Sequence, residues 1–260
     1  MKENDCFQFR QFTVHQDKCA MKVGTDGTLL GCWVLGVGCW ESCGHPPTPN
    51  TRTPTPNTQH PTPRILDIGT GTGLIALIMA QRFPDAHVTG IDIDQSAVLQ
   101  ARDNADNSPF ADRVSMIEAD VRSYEVPAGE HYDAIVVNPP YFVDSLTCPD
   151  RQRTLARHTS TLTYRDLMEA AARLLADHGE LSIIIPFDCK SLLESEAALA
   201  GFFKSRECAV RTTPRKPPRR YLLAFRRHAV EQVEQTSGVI EEQPGVRSDW
   251  YTNLTKDFYL

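Results

Sequence analysis

Short apolar runs alternate with longer amphipathic or alanine-rich stretches along the chain after residue 63. The apolar runs predict seven strands, over residues 64–68, 87–91, 114–118, 133–137, 181–185, 203–211 and 221–225. The stretches between them predict helices over residues 74–82, 95–107, 164–177 and 190–199. No clear helix separates the last two strands, so one edge strand is expected to be antiparallel. The pattern therefore indicates the α/β class, with a seven-stranded, mostly parallel sheet and helices on both faces.

The first 63 residues follow no such pattern. Residues 27–40 are uncharged and contain glycines, and they predict a buried helix, because a membrane span needs roughly 20 apolar residues. Residues 45–63, HPPTPNTRTPTPNTQHPTP, are rich in proline and lack apolar side chains, so we expect an extended, disordered insertion. A proline-rich ligand is the alternative to a tolerated surface insertion. We therefore predict one domain: an N-terminal segment 1–44, the insertion 45–63, and a core with its C-terminal tail 64–260.

Composition agrees with a globular protein of the cytoplasm. The chain has 260 residues, of which 41% are hydrophobic and 23% charged, and it lacks the apolar N-terminal region of a signal peptide. Its eight cysteines are scattered without a CxxC pair, so we expect reduced thiols. A metal site at Cys39, Cys43, His45 and His60 is the alternative, but it would need four ligands to converge from a flexible loop. We expect no metal.

The first motif is Asp67-Ile-Gly69-Thr-Gly71-Thr-Gly73, between a predicted strand and a predicted helix. This is the position at which α/β sheets bind ligands, and glycines allow a ligand to approach the backbone closely. The G-x-G-x-x-G pattern of dinucleotide sites is not met, because Leu74 stands where the third glycine would be. The pattern favours a cofactor with a sulfonium and an amino acid tail, which is S-adenosylmethionine.

Two further motifs follow the next two strands. Gly90-Ile-Asp92-Ile-Asp94 ends the second strand, where Asp92 is expected to accept hydrogen bonds from two ribose hydroxyls, with Ile93 beside it. Asp94 is expected to cap the next helix instead. Glu118-Ala-Asp120-Val121 ends the third strand, where Asp120 is expected to accept a hydrogen bond from the cofactor's adenine.

The most specific motif is Asn138-Pro139-Pro140-Tyr141, directly after the fourth strand. A planar amino nitrogen is a poor nucleophile, because its lone pair is delocalised into the ring. The Asn138 oxygen and the Pro139 carbonyl are suited to accept its hydrogens, and Tyr141 is suited to stack on the ring. We therefore predict methyl transfer to a planar amine by positioning and electrostatics, without a dedicated base.

The glycine motif followed by N-P-P-Y resembles the amino-methyltransferases, which act on adenine N6, guanine N2 or glutamine nitrogen. The N-terminal run from Gln11 to Gly31 and the ending Leu254–Leu260 are similar to the bacterial tRNA(Val) (adenine-N6)-methyltransferase family. The resemblance implies a Rossmann-like class I methyltransferase fold and a tRNA substrate modified beside the anticodon. It also implies that a loop closes over the cofactor, formed by Lys22, Gly24, Thr25 and Asp26. The chain departs from the family pattern at residues 45–63.

Basic residues support an RNA partner although the formal net charge is −6. Between residues 204 and 227 there are nine Lys or Arg and one acid. Phosphate contacts require such clusters whatever the total charge. The residues expected to contact RNA are Arg151, Arg153, Arg157, Arg215, Lys216, Arg219 and Arg220. The alternatives are a glutamine N5-methyltransferase, for whose usual helical domain the N-terminus leaves no room, a guanine-N2 rRNA methyltransferase, and a non-catalytic module. We expect a monomer that does not associate with membranes.

Overall fold

The computed structural model describes residues 5–18, 22–34, 62–139 and 162–260 of the chain. Its strands are β1 Cys6–Gln8, β2 Thr13–His15, β3 Arg64–Ile68, β4 His87–Asp92, β5 Val114–Glu118, β6 Tyr132–Val137, β7 Leu175–Pro186, β8 Phe203–Arg211, β9 Arg220–Arg226, β10 Glu234–Val239, β11 Glu241–Gln243 and β12 Val246–Arg247. Its helices are α1 Thr25–Trp33, α2 Leu74–Arg82, α3 Gln95–Asp106, α4 Tyr164–Leu174, α5 Lys190–Leu199 and α6 Asp249–Thr255. A single 3₁₀ turn, Phe187–Cys189, joins β7 to α5.

In the part of the chain that is described, the central sheet has eight strands in the order β10-β8-β9-β7-β6-β3-β4-β5. The five strands β7, β6, β3, β4 and β5 are each parallel to the next in this order. Helices cover both faces of the sheet, so the predicted fold class is confirmed. One face packs on α1, α2 and α3, and the other packs on α4 and α5. The carboxyl ends of the parallel strands therefore share one edge of the sheet, called here the carboxyl edge.

The predicted antiparallel edge strand needs correction. The strand with reversed direction is β9, and it lies inside the sheet, antiparallel to both β7 and β8. The edge is formed by β10, which pairs in parallel with β8 and is the eighth strand that the sequence pattern did not predict. Four of its six residues are exposed, and it is held by backbone hydrogen bonds to β8 rather than by an apolar face. Hydrophobic patterning does not detect such a strand.

The predicted helix over residues 164–177 is too long. Helix α4 ends at Leu174, because Leu175 is extended and begins β7, whose register on β6 contains an irregularity after Tyr132. Gly179 lies within this strand and does not end a helix. A Cβ atom there would lie 2.8 Å from the Leu175 side chain and 3.0 Å from the Asp133 carbonyl oxygen. Close packing against Leu175 and Asp133 therefore explains why this position is a glycine.

The predicted N-terminal helix over residues 27–40 is shifted. Helix α1 begins at Thr25 and ends at Trp33, because Val34 has an extended ψ of 136°. Residues 35–61 lie outside the described residues, and with them most of the predicted insertion. The four residues of the alternative metal site, Cys39, Cys43, His45 and His60, also lie outside the described residues. None of the helices in the described ranges is long and apolar enough to cross a membrane.

Candidate active site

Three neighbouring strands end at the same level of the carboxyl edge. Ile68, the last residue of β3, pairs with Ile91 on one side and with Val137 on the other. Gly69, the next residue after Ile68, therefore lies between Asp92 on one side and Asn138 on the other. The sheet register alone brings the first, second and fourth sequence motifs together, as expected for a ligand site of an α/β sheet.

The glycine loop has the backbone conformation that its composition predicts. Gly69, Gly71 and Gly73 all have positive φ angles, of 69°, 56° and 81°. The amide groups of Gly69 and Thr70 both donate to the Ile91 carbonyl, at 2.9 and 3.0 Å. A Cβ atom at Gly69 would meet no atom within 4 Å, so its backbone faces open space. The loop thus presents bare backbone to a cavity at the carboxyl edge, which Gly69, Asp92 and Asn138 all line.

Two residues of the motif lie behind the loop rather than in the cavity. A Cβ atom at Gly73 would lie 3.1 Å from Met116 and 3.3 Å from Ala101, so this glycine allows close packing. Asp67 is fully buried, and it accepts hydrogen bonds from the Thr70 hydroxyl at 2.6 Å and the Ala76 amide at 3.1 Å. Burial raises its pKa to about 7, against these hydrogen bonds, which lower it. Both residues shape the loop, and neither lines the cavity that receives the other motif residues.

Gly90 supports the loop from beneath and was assigned no role from the sequence. A Cβ atom there would lie 2.5 Å from the Met116 sulfur and 2.7 Å from the Thr70 hydroxyl. We expect Gly90→Ala to lower the free energy of unfolding by about 1–3 kcal/mol, as overpacking does. Urea denaturation measures this loss. The exposed Ser115→Ala on the adjacent strand is the control, with an expected change within about 0.5 kcal/mol. An unchanged midpoint for Gly90→Ala would show that the site tolerates a methyl group.

Asp92 connects the glycine loop to the end of β4. One carboxylate oxygen accepts from the Gly71 amide at 2.9 Å, and the other accepts from the Asp94 amide at 3.0 Å. Asp94 accepts instead from the Ser96 amide at 2.8 Å and caps α3, as predicted. Asp92 is partly exposed to the cavity, and each of its oxygens keeps a lone pair that a ligand hydroxyl can use.

We expect Asp92→Asn to weaken binding of S-adenosylmethionine by about 10- to 100-fold. The reason is the loss of charge-assisted hydrogen bonds, each worth about 1.5–3 kcal/mol. Calorimetry with the free protein measures the affinity. Asp94→Asn is the matched control, because asparagine caps a helix as well as aspartate does. Equal affinities for Asp92→Asn and the unmodified protein would remove Asp92 from the cofactor site.

Asp120, Val121 and Ile93 border the cavity beside Asp92. The carboxylate of Asp120 is held by the Arg122 guanidinium at 2.5 Å, and this hydrogen bond lowers the pKa of Asp120, so that it stays ionised. If a cofactor adenine donates a hydrogen bond to Asp120, the adenine and Arg122 bind the same carboxylate. Ile93 is 60% exposed although it is apolar, and it offers a face against which a flat ring can pack.

The N-terminal segment forms a further part of the cavity wall. Lys22, Gly24, Thr25 and Asp26 all line it, but only Lys22 and Gly24 lie in a loop, because Thr25 and Asp26 form the first turn of α1. The Val23 amide donates to the Gln16 side chain at 2.7 Å, which anchors the loop. Asp26 pairs with Arg220 at 2.5 Å, and both residues line the cavity. Arg220, predicted to bind RNA, therefore lines the cavity itself and links the first turn of α1 to β9.

Asn104 is a positioning residue that the sequence analysis missed. It is fully buried, and its amide nitrogen donates to the carbonyl oxygens of His15 and Thr72, both at 2.9 Å. Its oxygen accepts from the His15 amide at 2.8 Å. Asn104 thereby joins the N-terminal segment to the glycine loop. The available signal was a polar residue among the inward-facing positions of α3, which is weak on its own.

The basic segment 204–227 divides into structural and exposed residues. Arg206 is buried, pairs with Glu180 at 2.7 Å and lies 4.0 Å from the Trp33 ring centroid. Lys204 pairs with Glu194 and Glu207, and Arg227 donates to the Ala172 carbonyl. The expectation that the whole run forms an RNA patch is therefore too broad. The exposed residues form what is called here the basic loop: Arg215, Lys216 and Arg219.

The basic loop lies at the carboxyl edge, because it joins the end of β8 to the start of β9. Among the described residues, none of its three cations forms an ion pair. The other expected RNA contacts, Arg151, Arg153 and Arg157, lie outside the described residues. Pro140 and Tyr141 do as well, whereas Asn138 and Pro139 line the cavity.

The cavity has a volume of about 810 Å³, within the range of cofactor sites. Its wall combines bare glycine backbone, apolar surface at Ile93 and Val121, and carboxylates at Asp26, Asp92 and Asp120. Carboxylates suit the cationic sulfonium, the ammonium group and the ribose hydroxyls of S-adenosylmethionine. The residues present therefore fit this cofactor. No group of three or more metal-ligating side chains occurs within residues 5–18, 22–34, 62–139 and 162–260.

The chain is similar to known methyltransferases along almost its whole length. Residues 55–214 match the family model described as "Methyltransferase small domain". A protein of Parabacteroides distasonis named tRNA1(Val) (adenine(37)-N6)-methyltransferase is 41% identical over 257 residues, 99% of this chain and 98% of that protein. A protein of the same name from Histophilus somni is 38% identical over 261 residues, covering 100% and 99% of the two chains.

A solved structure confirms the fold class. The crystal structure of a predicted O-methyltransferase from Agrobacterium tumefaciens superposes with a TM-score of 0.62 over 89% of this chain and 96% of that one. The two sequences are 20% identical, so this similarity concerns the fold alone.

Proposed function

Because the chain belongs to the tRNA1(Val) (adenine(37)-N6)-methyltransferase family, we propose that it methylates the N6 amine of an adenine beside the anticodon of tRNA(Val). The cofactor is S-adenosylmethionine, which supplies an electrophilic methyl group on a sulfonium. The observation that carries the proposal is the position of Asn138, which leaves β6 beside Gly69 and lines the same cavity as the glycine loop. The group that would hold the amine thus lies next to the group that would hold the cofactor.

In this proposal Asn138 and Pro139 orient the nucleophile. The Asn138 side-chain oxygen and the Pro139 carbonyl accept the two amine hydrogens, which favours a tetrahedral nitrogen with its lone pair directed at the methyl group. In the same proposal Tyr141 covers the base by stacking. The rate enhancement then comes from positioning and from preorganised dipoles.

The cofactor roles follow from the cavity walls. Gly69 and Gly71 give the cofactor access to the backbone, Asp92 binds the ribose, and Ile93 and Val121 pack on the adenine. Residues 22–26, which run from a loop into the first turn of α1, cover the amino acid end of the cofactor. Asp67 and Gly73 act indirectly, through the shape of the loop, in place of the direct contacts expected from the sequence.

The basic loop supports a nucleic-acid substrate. Its three exposed cations lie at the carboxyl edge, as does the cavity, so they are suited to hold phosphates on either side of a bound base. A base must leave its stack before Asn138 can reach N6, and this costs least in a loop that is already single-stranded. An anticodon-loop adenine meets that requirement. Glutamine in a protein and guanine N2 in rRNA are the alternative substrates that the experiment below tests.

Two measurements test the proposal. Mass spectrometry of tRNA nucleosides from cells with and without the protein should show N6-methyladenosine only when the protein is present. The purified protein with labelled cofactor should methylate tRNA(Val), and should not methylate a transcript in which guanosine replaces the target adenosine. Faster methylation of a glutamine-containing peptide or of rRNA than of tRNA would contradict the proposal.

We further propose that the protein acts as a monomer in the cytoplasm.

A further inference from the structure

An aromatic pair, of which one ring is exposed and the other partly buried, lies at the carboxyl edge outside the cavity. Phe187 follows directly after β7 and is 51% exposed. Its ring stacks on Tyr221, with centroids 5.9 Å apart and an angle of 30° between the planes. The Lys190 ammonium lies 4.2 Å from the centroid of Tyr221. The Phe187–Tyr221 pair, called here the aromatic platform, has no role in the site described above.

The aromatic platform is attached to the basic loop. The Phe187 amide donates to the Arg219 carbonyl at 3.0 Å, and the Arg219 amide donates to the Val210 carbonyl at 2.9 Å. These bonds fix the start of β9, so the ring of Phe187 and the side chain of Arg219 emerge from hydrogen-bonded neighbours. An exposed ring beside exposed, unpaired cations is the combination that binds single-stranded nucleic acid: cations hold the backbone and rings stack on bases.

The platform also has a defined position relative to Asn138. Tyr221 pairs with Ile185 of β7, and Val137 pairs with Ile183 of that strand. Tyr221 is therefore two strands away from Asn138 and one residue further along, a separation of about 10 Å between backbones. A nucleotide next to a base held at Asn138 can reach this distance.

We propose that Phe187, supported by Tyr221, stacks on an unpaired base that neighbours the target adenine in the RNA strand. This proposal rests on the proposed function. The free face of Phe187 receives the base, and Arg215, Lys216 and Arg219 hold the phosphates that flank it. The aromatic platform positions the substrate and takes no part in the chemical step.

Phe187→Ala should raise the KM for tRNA by roughly 5- to 100-fold, the range expected for loss of one base stack. The value of kcat at saturation and the affinity for S-adenosylmethionine should remain unchanged, as should the melting temperature, because the ring is half exposed. Phe187→Trp should restore the KM. Phe187→Leu, which keeps an apolar side chain but has no aromatic face, should not. Leu199→Ala removes a side chain that is 82% exposed at the far end of α5, and serves as the control.

Fluorescence gives a direct readout of stacking. The probe is an anticodon stem-loop RNA with 2-aminopurine beside the target adenosine. Binding to the unmodified protein should quench the 2-aminopurine fluorescence. Saturating Phe187→Ala should quench it much less. A normal KM and normal quenching in Phe187→Ala, with an unmodified protein that methylates tRNA, would overturn the aromatic platform alone. Failure of the unmodified protein to methylate any tRNA would overturn the proposed function and this inference with it.

Discussion

Asn138→Ala should reduce kcat for tRNA methylation by about 100-fold or more, as the loss of one preorganised group in an oxyanion hole does. The side-chain oxygen is the acceptor that holds the amine for attack, and alanine offers no replacement. The strand register places this residue beside Gly69, at the level where the methyl group must be delivered. Single-turnover assays with saturating tRNA and labelled cofactor measure the effect on the chemical step.

Binding of S-adenosylmethionine should be largely intact in the same variant, because Asn138 is expected to have only secondary contact with the cofactor. Asn138→Asp is the companion variant: it keeps an oxygen acceptor at the same position, and it should retain more activity than Asn138→Ala. Equal kcat values for Asn138→Ala and the unmodified protein would remove the residue from the mechanism. A parallel loss of cofactor affinity would assign it to the cofactor site instead.

Charge reversal of the basic loop should have the second large effect, on tRNA binding. Arg215→Glu, Lys216→Glu and Arg219→Glu together should raise the KM for tRNA, because three phosphate contacts become repulsive. The slope of log affinity against log salt concentration should fall by about 0.7–0.9 for each lost contact. Binding titrations between low and physiological salt concentrations measure both quantities. Cofactor affinity should not change, since none of the three residues lines the cavity.

Lys256→Glu is the control for a charge reversal at another exposed site. Lys256 is exposed, and the carbonyl of the adjacent Asp257 accepts a hydrogen bond from Gln81 near the end of α2 that is remote from the glycine loop. This variant should bind tRNA normally. Arg220 is excluded from the set because it pairs with Asp26 of α1, so its reversal would mix an effect on the cavity wall with an effect on RNA binding. Normal methylation by the triple variant at physiological salt would refute the RNA role of the basic loop.

Local sequence patterns predicted the strands and helices around the carboxyl edge of the sheet well. Strand β3, helix α2 and strand β5 have the predicted bounds, because each is a short apolar run or an uninterrupted apolar helix next to a glycine or polar turn. The α/β class and the positions of Gly69, Asp92 and Asn138 followed from the same pattern. Motifs at strand ends are predictable because parallel strands place their carboxyl ends at one edge.

The mispredicted end of α4 and the mispredicted role of Arg206 have the same cause. In both cases the contacts that determine the structure come from residues distant in the sequence. Nothing near Leu175 in the sequence ends a helix, and pairing with Tyr132 and the neighbouring strand makes it extended. The positive charge of Arg206 suggested RNA, yet Glu180, 26 positions earlier, holds it in the interior. Charge in a sequence does not distinguish an exposed cation from one that is buried with a partner.

The sequence by itself determined the class of sheet, the order of the cofactor motifs and the residue expected to hold the amine, because these depend on local composition and on periodicity. Only the tertiary structure decided which motif residues line the cavity. It moved Asp67 and Gly73 behind the loop, brought Arg220 to Asp26, and placed Phe187 against Tyr221. The physical reason is that burial and pairing are properties of residues that meet in space, and a one-dimensional pattern records only which residues are neighbours along the chain.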